Sequence, residues 1–229
     1  MCITPQDLFD DGDAFTSDIF DLSGDVERVV KTDVARAFVD MNRAPDERPP
    51  RHPDGVVKAA TCLQQPIFKS GHEPDGELTG LLIERYHAPY HARLKEATSE
   101  PGVRLALDCH SMLPSAPPIE NNRGEPRPLF CLSNRDGATA PPALLVELAA
   151  SIAGAFEIQS ERIGLNEPFK GGYIIKRHGG SRIPWIQVEM NRCLYLEKPW
   201  YDRETLSVDA VRISELRECF CDALQCMKL

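Results

Sequence analysis

The chain has 229 residues, enough for one large α/β domain with its own core and barely enough for two, so 1–229 is read as a single domain. A formal net charge of −9 offers no basic field to displace counterions from phosphates, which argues against a nucleic-acid partner. With no apolar run of membrane-spanning length and no charged-then-apolar leader, a soluble, cytoplasmic protein without a membrane partner is expected.

Residues 4–22 read as helical. Thr4-Pro5 supplies an N-cap and first-turn pair, the acidic knot of Asp10, Asp11 and Asp13 interrupts the pattern, and a second helix starts near Thr16. Like charges this close must be solvated, cap a helix or bind a cation, and a helix cap is the simplest of the three. Residues 29–31 are predicted as a short strand. Residues 35–41 mix apolar and charged positions at period two, which places Arg36 on a strand and Arg43 in the turn after it. Four prolines between positions 44 and 53 demand a loop, and residues 54–75 continue irregularly around a short strand at 56–57. A loop this long in a compact domain is usually functional or a lid.

Residues 77–97 carry Leu78, Leu81, Leu82, Arg85 and Tyr86 on successive turns of a helix, with a kink expected at Pro89. His87 and His91 are four apart and share a face, which is metal-ligand spacing. No glutamate stands beside His87 to complete a zincin signature, so the pair is assigned to packing against the core.

After Pro101-Gly102, residues 103–112 read as a central strand of a parallel sheet that ends in Asp108-Cys109-His110-Ser111, where ligands of open α/β folds collect. Residues 113–128 form a loop, 129–133 an inner strand with its turn at 134–137, and 143–156 an amphipathic helix. The glycine-rich stretch 166–173 turns into Ile174-Ile175, 184–192 is a further inner strand, and 211–227 a final helix. Strands alternating with helices predict an α/β fold: a mainly parallel or mixed central sheet flanked by helices. The eight cysteines lack zinc-ribbon spacing and are read as reduced thiols; Cys219, Cys221 and Cys226 fall together by helix periodicity.

Two strand endings carry the chemistry. By strand alternation Glu189 shares a face with Gln187, and the apolar entry through Ile183, Trp185 and Ile186 leaves little solvated face, so Glu189 is expected in a cleft rather than paired with Arg192 at the surface. A histidine and a glutamate at such endings are the minimum for metal-assisted hydrolysis, one ligand and one general base. Asp108, two residues from His110, is placed to accept the free imidazole N–H and fix its tautomer. A thiol enzyme built on Cys109 and His110 is disfavoured, because adjacent strand residues point to opposite faces.

The segments Ala35-Arg36-Ala37-Phe38-Val39-Asp40-Met41-Asn42-Arg43, Pro89-Tyr90-His91, Asp108-Cys109-His110-Ser111-Met112, Arg127-Pro128, Asn166-Glu167-Pro168-Phe169-Lys170-Gly171-Gly172-Tyr173 and Gln187-Val188-Glu189-Met190 occur in an order that resembles the N-formylglutamate amidohydrolase family. The resemblance runs from about Asp11 to Tyr195. It implies a relative of the zinc carboxypeptidases and aspartoacylase, with a phosphorylase/hydrolase-like fold and one catalytic Zn2+. The implied activity is that of a zinc-dependent amidohydrolase acting on C–N bonds other than peptide bonds, with a small acidic substrate such as N-formylglutamate. By that likeness His110 and Asp13 are metal ligands, and Glu189 is the base that deprotonates the water and later passes the proton to the leaving amine. Asn42 and Arg43 would hold the substrate carboxylate, a bidentate task that suits arginine. Arg36, Arg177 and His178 are candidates for a second contact.

Members of that family open with a strand ending in Pro-His-Gly-Gly or Pro-His-Ser-Gly, whose histidine is the first metal ligand, and this chain starts past that point. None of its six histidines falls there. A catalytic zinc keeps three protein ligands, so the alternative function, from another class, is a metal-free relative that binds a small carboxylate. Neither the acyl group nor the oligomeric state is legible in the residues.

Overall fold

The computed structural model describes residues 1–118, 120–180 and 182–228. Its apolar runs assemble a mixed sheet from β1 (Ala106–Met112), β2 (Phe130–Ser133), β3 (Ile163–Leu165) and β4 (Trp185–Asn191), in the order β1-β4-β2-β3. β4 runs parallel to β1 and antiparallel to β2, while β2 and β3 are parallel. All of β4 is buried, as expected of a strand paired on both sides and covered on both faces. β1 is a correction to the expected central strand: in the sheet of the described residues it lies at the edge, paired only with β4. An apolar run reports burial, and here a neighbouring irregular segment supplies it, with Val30 packed beside Val103 and Ala106.

Helices cover both faces. α1 (Pro5–Asp11) opens on a capping box between Thr4 and Asp7, and α2 (Thr16–Ile19) follows the acidic break. α5 (Pro142–Ala155) and α7 (Ala210–Gln225) pack with α2 on one side of the sheet, where Ile19, Leu148, Ile152 and Phe220 meet Phe130, Leu132, Ile186 and Val188. On the other side α4 (Ala88–Ala97) and α6 (Tyr173–His178) bring Leu94, Ile174 and Ile175 against Trp185. A two-stranded ribbon, β5 (Tyr201–Asp202) and β6 (Ser207–Val208), precedes α7. Among the described residues no helix is long and apolar enough to cross a membrane.

α3 (Gly76–Leu82) continues into α4 through a π turn at Ile83–His87. Pro89 cannot donate to the carbonyl four residues back, and the widened turn just ahead of it accommodates that loss without ending the helix. The strands expected at 29–31, 35–41 and 56–57 do not form. Residues 36–38 turn instead, with the amides of Phe38 and Val39 donating to the Ala35 carbonyl at 2.8 and 3.1 Å. Val39, Val56 and Val57 are buried in their own cluster, so their pattern reflects a satellite core beneath a loop.

Candidate active site

The parallel register of β1 and β4 sets Asp108 opposite Gln187 and His110 opposite Glu189. Because alternate residues of a strand share a face, these four polar side chains form one patch, while Leu107, Cys109, Ile186 and Val188 turn to the apolar core. The patch floors a cleft of about 1350 Å³ that Asp13, Arg36, Asn42, Arg43 and Arg192 also line.

His110 sits between two carboxylates, with Nδ1 3.1 Å from Asp13 Oδ2 and Nε2 2.9 Å from Asp108 Oδ1. Burial disfavours its charged form, but Asp108 and then Asp13 outweigh burial and hold the imidazole pKa well above its ordinary value. Burial alone would raise Asp13, yet the hydrogen bond and charge of His110, with Arg192 and Arg36 beyond, keep that carboxyl well below the usual range. Asp13 Oδ1 in turn accepts from the Ser111 amide at 2.9 Å, so the acidic knot ends docked on the active strand rather than as a helix cap.

Arg192 anchors that docking. Its guanidinium donates to Ser111 Oγ at 3.0 Å, to the Asp10 carbonyl at 2.9 Å and to the Gly12 carbonyl, tying the loop between α1 and α2 to β1. Sequence reasoning offered Arg192 only as a surface partner for Glu189. Its place directly after a fully buried strand was the available signal. Glu189 instead accepts from Gln187 Nε2 at 2.8 Å, and Gln187 Oε1 accepts from the Gly172 amide at 2.6 Å. Burial pushes the Glu189 carboxyl up to about 7; His110 opposes that rise, and Asp13 and Asp108 add to it. That is the range in which a general base works best at neutral pH.

Asn42 reaches the same point from the loop side. Its Oδ1 accepts from the Ile174 amide at 2.8 Å, which leaves Nδ2 3.2 Å from His110 Nε2. Gly172 permits this approach, since a Cβ there would stand 2.3 Å from the Asn42 amide atoms. Arg43 is committed within the protein: Nη2 meets Asp54 Oδ2 at 2.5 Å and Nε donates to the Asp54 carbonyl at 2.8 Å. Arg36 donates from Nε to Asp40 Oδ2 at 2.7 Å and also lines the cleft. Arg177 is not brought to the site; it is exposed in the last turn of α6, outside the cleft lining. His178 stacks on His91 and Trp185. Cys109 is half-buried, and desolvation pushes its thiol up to about 12, which leaves no thiolate for nucleophilic chemistry.

The zinc site implied by the resemblance is not completed by these residues. His110 Nδ1 and Asp13 are two donors facing one another, Asp108 occupies the other imidazole nitrogen, and among the described residues no group of three or more His, Cys, Asp or Glu could hold a metal ion. A catalytic zinc takes three protein donors, so the set falls one short.

An N-formylglutamate deformylase of Pseudomonas putida is 28% identical over 208 residues, covering 86% of this chain and 76% of that relative. The crystal structure of an N-formylglutamate amidohydrolase from Ralstonia eutropha JMP134 superposes with a TM-score of 0.74 at 22% identity, covering 98% of this chain and 85% of that one. A gene product of Agrobacterium tumefaciens shares the fold more distantly, with a TM-score of 0.53 at 15% identity over 83% of this chain and 68% of its own. The sequence model of the N-formylglutamate amidohydrolase family matches residues 2–196, most of the chain and every element that builds the cleft except α7, and the chain belongs to that family.

Proposed function

We propose that this protein hydrolyses the N-acyl amide bond of a small acidic amino-acid derivative such as N-formylglutamate, as a single catalytic unit in the cytoplasm. The observation that carries the reading is the juxtaposition of Glu189, buried with a pKa near 7, with His110 across the β1–β4 register. Glu189 acts as general base toward water and returns the proton to the leaving amine; the buried carboxylate is half ionised at neutral pH, as both steps need. Asp108 and Asp13 orient the His110 ring from its two nitrogens. The Asn42 amide and the Arg36 guanidinium receive the substrate carboxylate, with Arg43 in support through the same loop.

The family resemblance adds one zinc and a zinc carboxypeptidase-like architecture. Asp13 and His110 are the residues that would hold the metal, which when bound polarises the acyl oxygen and acidifies water. With a donor missing from the described set, every step above is assigned to the protein's own groups.

The test is formate release from N-formyl-L-glutamate by wild type, Glu189→Gln and His110→Ala. Turnover in wild type that falls by about a hundredfold or more in Glu189→Gln supports the reading, in line with the usual worth of a general base. Saturable glutarate binding without turnover would instead favour a carboxylate-binding module.

A further inference from the structure

We propose that His87 and His91 are positioning residues for substrate binding, holding the two carbonyls that flank Asn42 so that its amide faces the reacting centre. This rests on the reading of Asn42 as a carboxylate contact. His87 Nε2 lies 2.9 Å from the Arg43 carbonyl and His91 Nε2 lies 2.9 Å from the Met41 carbonyl. A carbonyl only accepts, so both rings carry their hydrogen on Nε2. His91 Nδ1 is then the acceptor for His178 Nε2 at 2.8 Å. Burial lowers the pKa of all three rings, His91 to about 4, so each is neutral at physiological pH.

The spacing that suggested metal ligands serves another purpose. The rings pack 4.3 Å apart between centroids, but each Nε2 is consumed by a different peptide carbonyl, one residue either side of Asn42. Residues 41–43 belong to no helix or strand, so no ladder holds them. Two donors projected from one helix face replace that ladder, and the Asn42 carbonyl takes a third bond from the Tyr173 amide at 3.4 Å. Fixing three successive carbonyls leaves the Asn42 side chain little backbone freedom, so its Nδ2 stays 3.2 Å from His110.

The experiment measures glutarate affinity by calorimetry and the kcat and KM for N-formyl-L-glutamate in His91→Gln, His91→Phe, His87→Gln and His87→Phe, alone and with Asn42→Ala. Glutamine keeps a donor near the position of Nε2 and phenylalanine keeps only the ring. The phenylalanine variants are expected to weaken glutarate binding and raise KM about tenfold with kcat nearly unchanged, the scale of one lost buried hydrogen bond. The glutamine variants should recover most of that loss. In the Asn42→Ala background the histidine substitutions should cost under about twofold more, because coupled residues are not additive. Equal losses in both backgrounds, or glutamine variants as impaired as phenylalanine ones at unchanged thermal stability, would overturn the proposal. If the phenylalanine variants do not fold, the glutamine variants and a His91→Asn variant, too short to reach the Met41 carbonyl, decide by the same comparison. Glutarate binding without formate release would sink the hydrolase reading alone; no glutarate binding by wild type would sink both.

Discussion

As the proposed general base, Glu189 sets catalysis and stability in opposition. Its native pKa, raised to about 7, exceeds the unfolded value near 4.5, so its proton is held more tightly in the folded chain. The stabilisation is complete below pH about 4.5 and is lost as pH rises through about 7, where a buried charge must be carried. Glu189→Gln should therefore match wild type in denaturant unfolding at pH 4.5 and exceed it by up to about 3 kcal/mol at pH 8, while losing turnover. A variant no more stable at pH 8 would contradict the buried, raised carboxyl. Gly172→Ala is the steric counterpart. The added Cβ drives into Asn42, and KM for an acidic substrate should rise about tenfold or more with a smaller change in kcat. How much was legible at this scale depended on chemistry: the Asp-x-His ending and Glu189 stood out because polar residues interrupt apolar runs. The committed state of Arg43 did not, since its acceptor Asp54 is eleven residues away across a proline-rich loop.

At the scale of elements, short apolar runs located β1, β2 and β4 because each packs apolar residues on the α5–α7 layer. Pattern failed at 35–41 and 56–57, where Val39, Val56 and Val57 are buried against Leu82 at the end of α3 and join no ladder. Edge against centre was equally invisible, because strand order depends on pairing and not on local pattern. Within that loop Lys58 is fully buried, with Nζ 2.8 Å from Asp11 Oδ1 and 2.9 Å from Asp54 Oδ1, linking α1 to the loop that carries Arg43. Lys58→Met leaves Asp11 buried with the Cys62 amide at 2.7 Å but without its cation and should cost about 3–5 kcal/mol in urea unfolding. Adding Asp11→Asn should restore most of that loss. A lysine set in Val56-Val57-Lys58-Ala59-Ala60 was the signal for this pair, and only the fold names its partner.

At the scale of the whole molecule, the cleft sets Arg36, Arg43 and Arg192 among a larger number of carboxylates, so on the proposed reading an acidic substrate depends on individual arginine contacts and not on a positive field. The donor count makes a matching statement about metal. Protein purified without added metal should hold well under one zinc per chain by elemental analysis, since two facing donors do not make a closed site. One tightly held zinc, lost in both Asp13→Ala and His110→Ala, would reveal a third donor.

The position of β1 at the sheet edge has a dynamic meaning. Among the described residues Glu189 rides on a strand clamped from both sides, whereas His110 rides on one clamped from a single side, so the two halves of the proposed reacting pair rest on supports of unequal stiffness. Hydrogen exchange should resolve this as alternation: β1 amides directed at β4 exchange slowly, as does the Ser111 amide held by Asp13, and the other intervening ones exchange orders of magnitude faster. A bound dicarboxylate that spans the cleft would slow the fast set and leave β4 unchanged, making β1 the part of the site whose breathing the ligand suppresses.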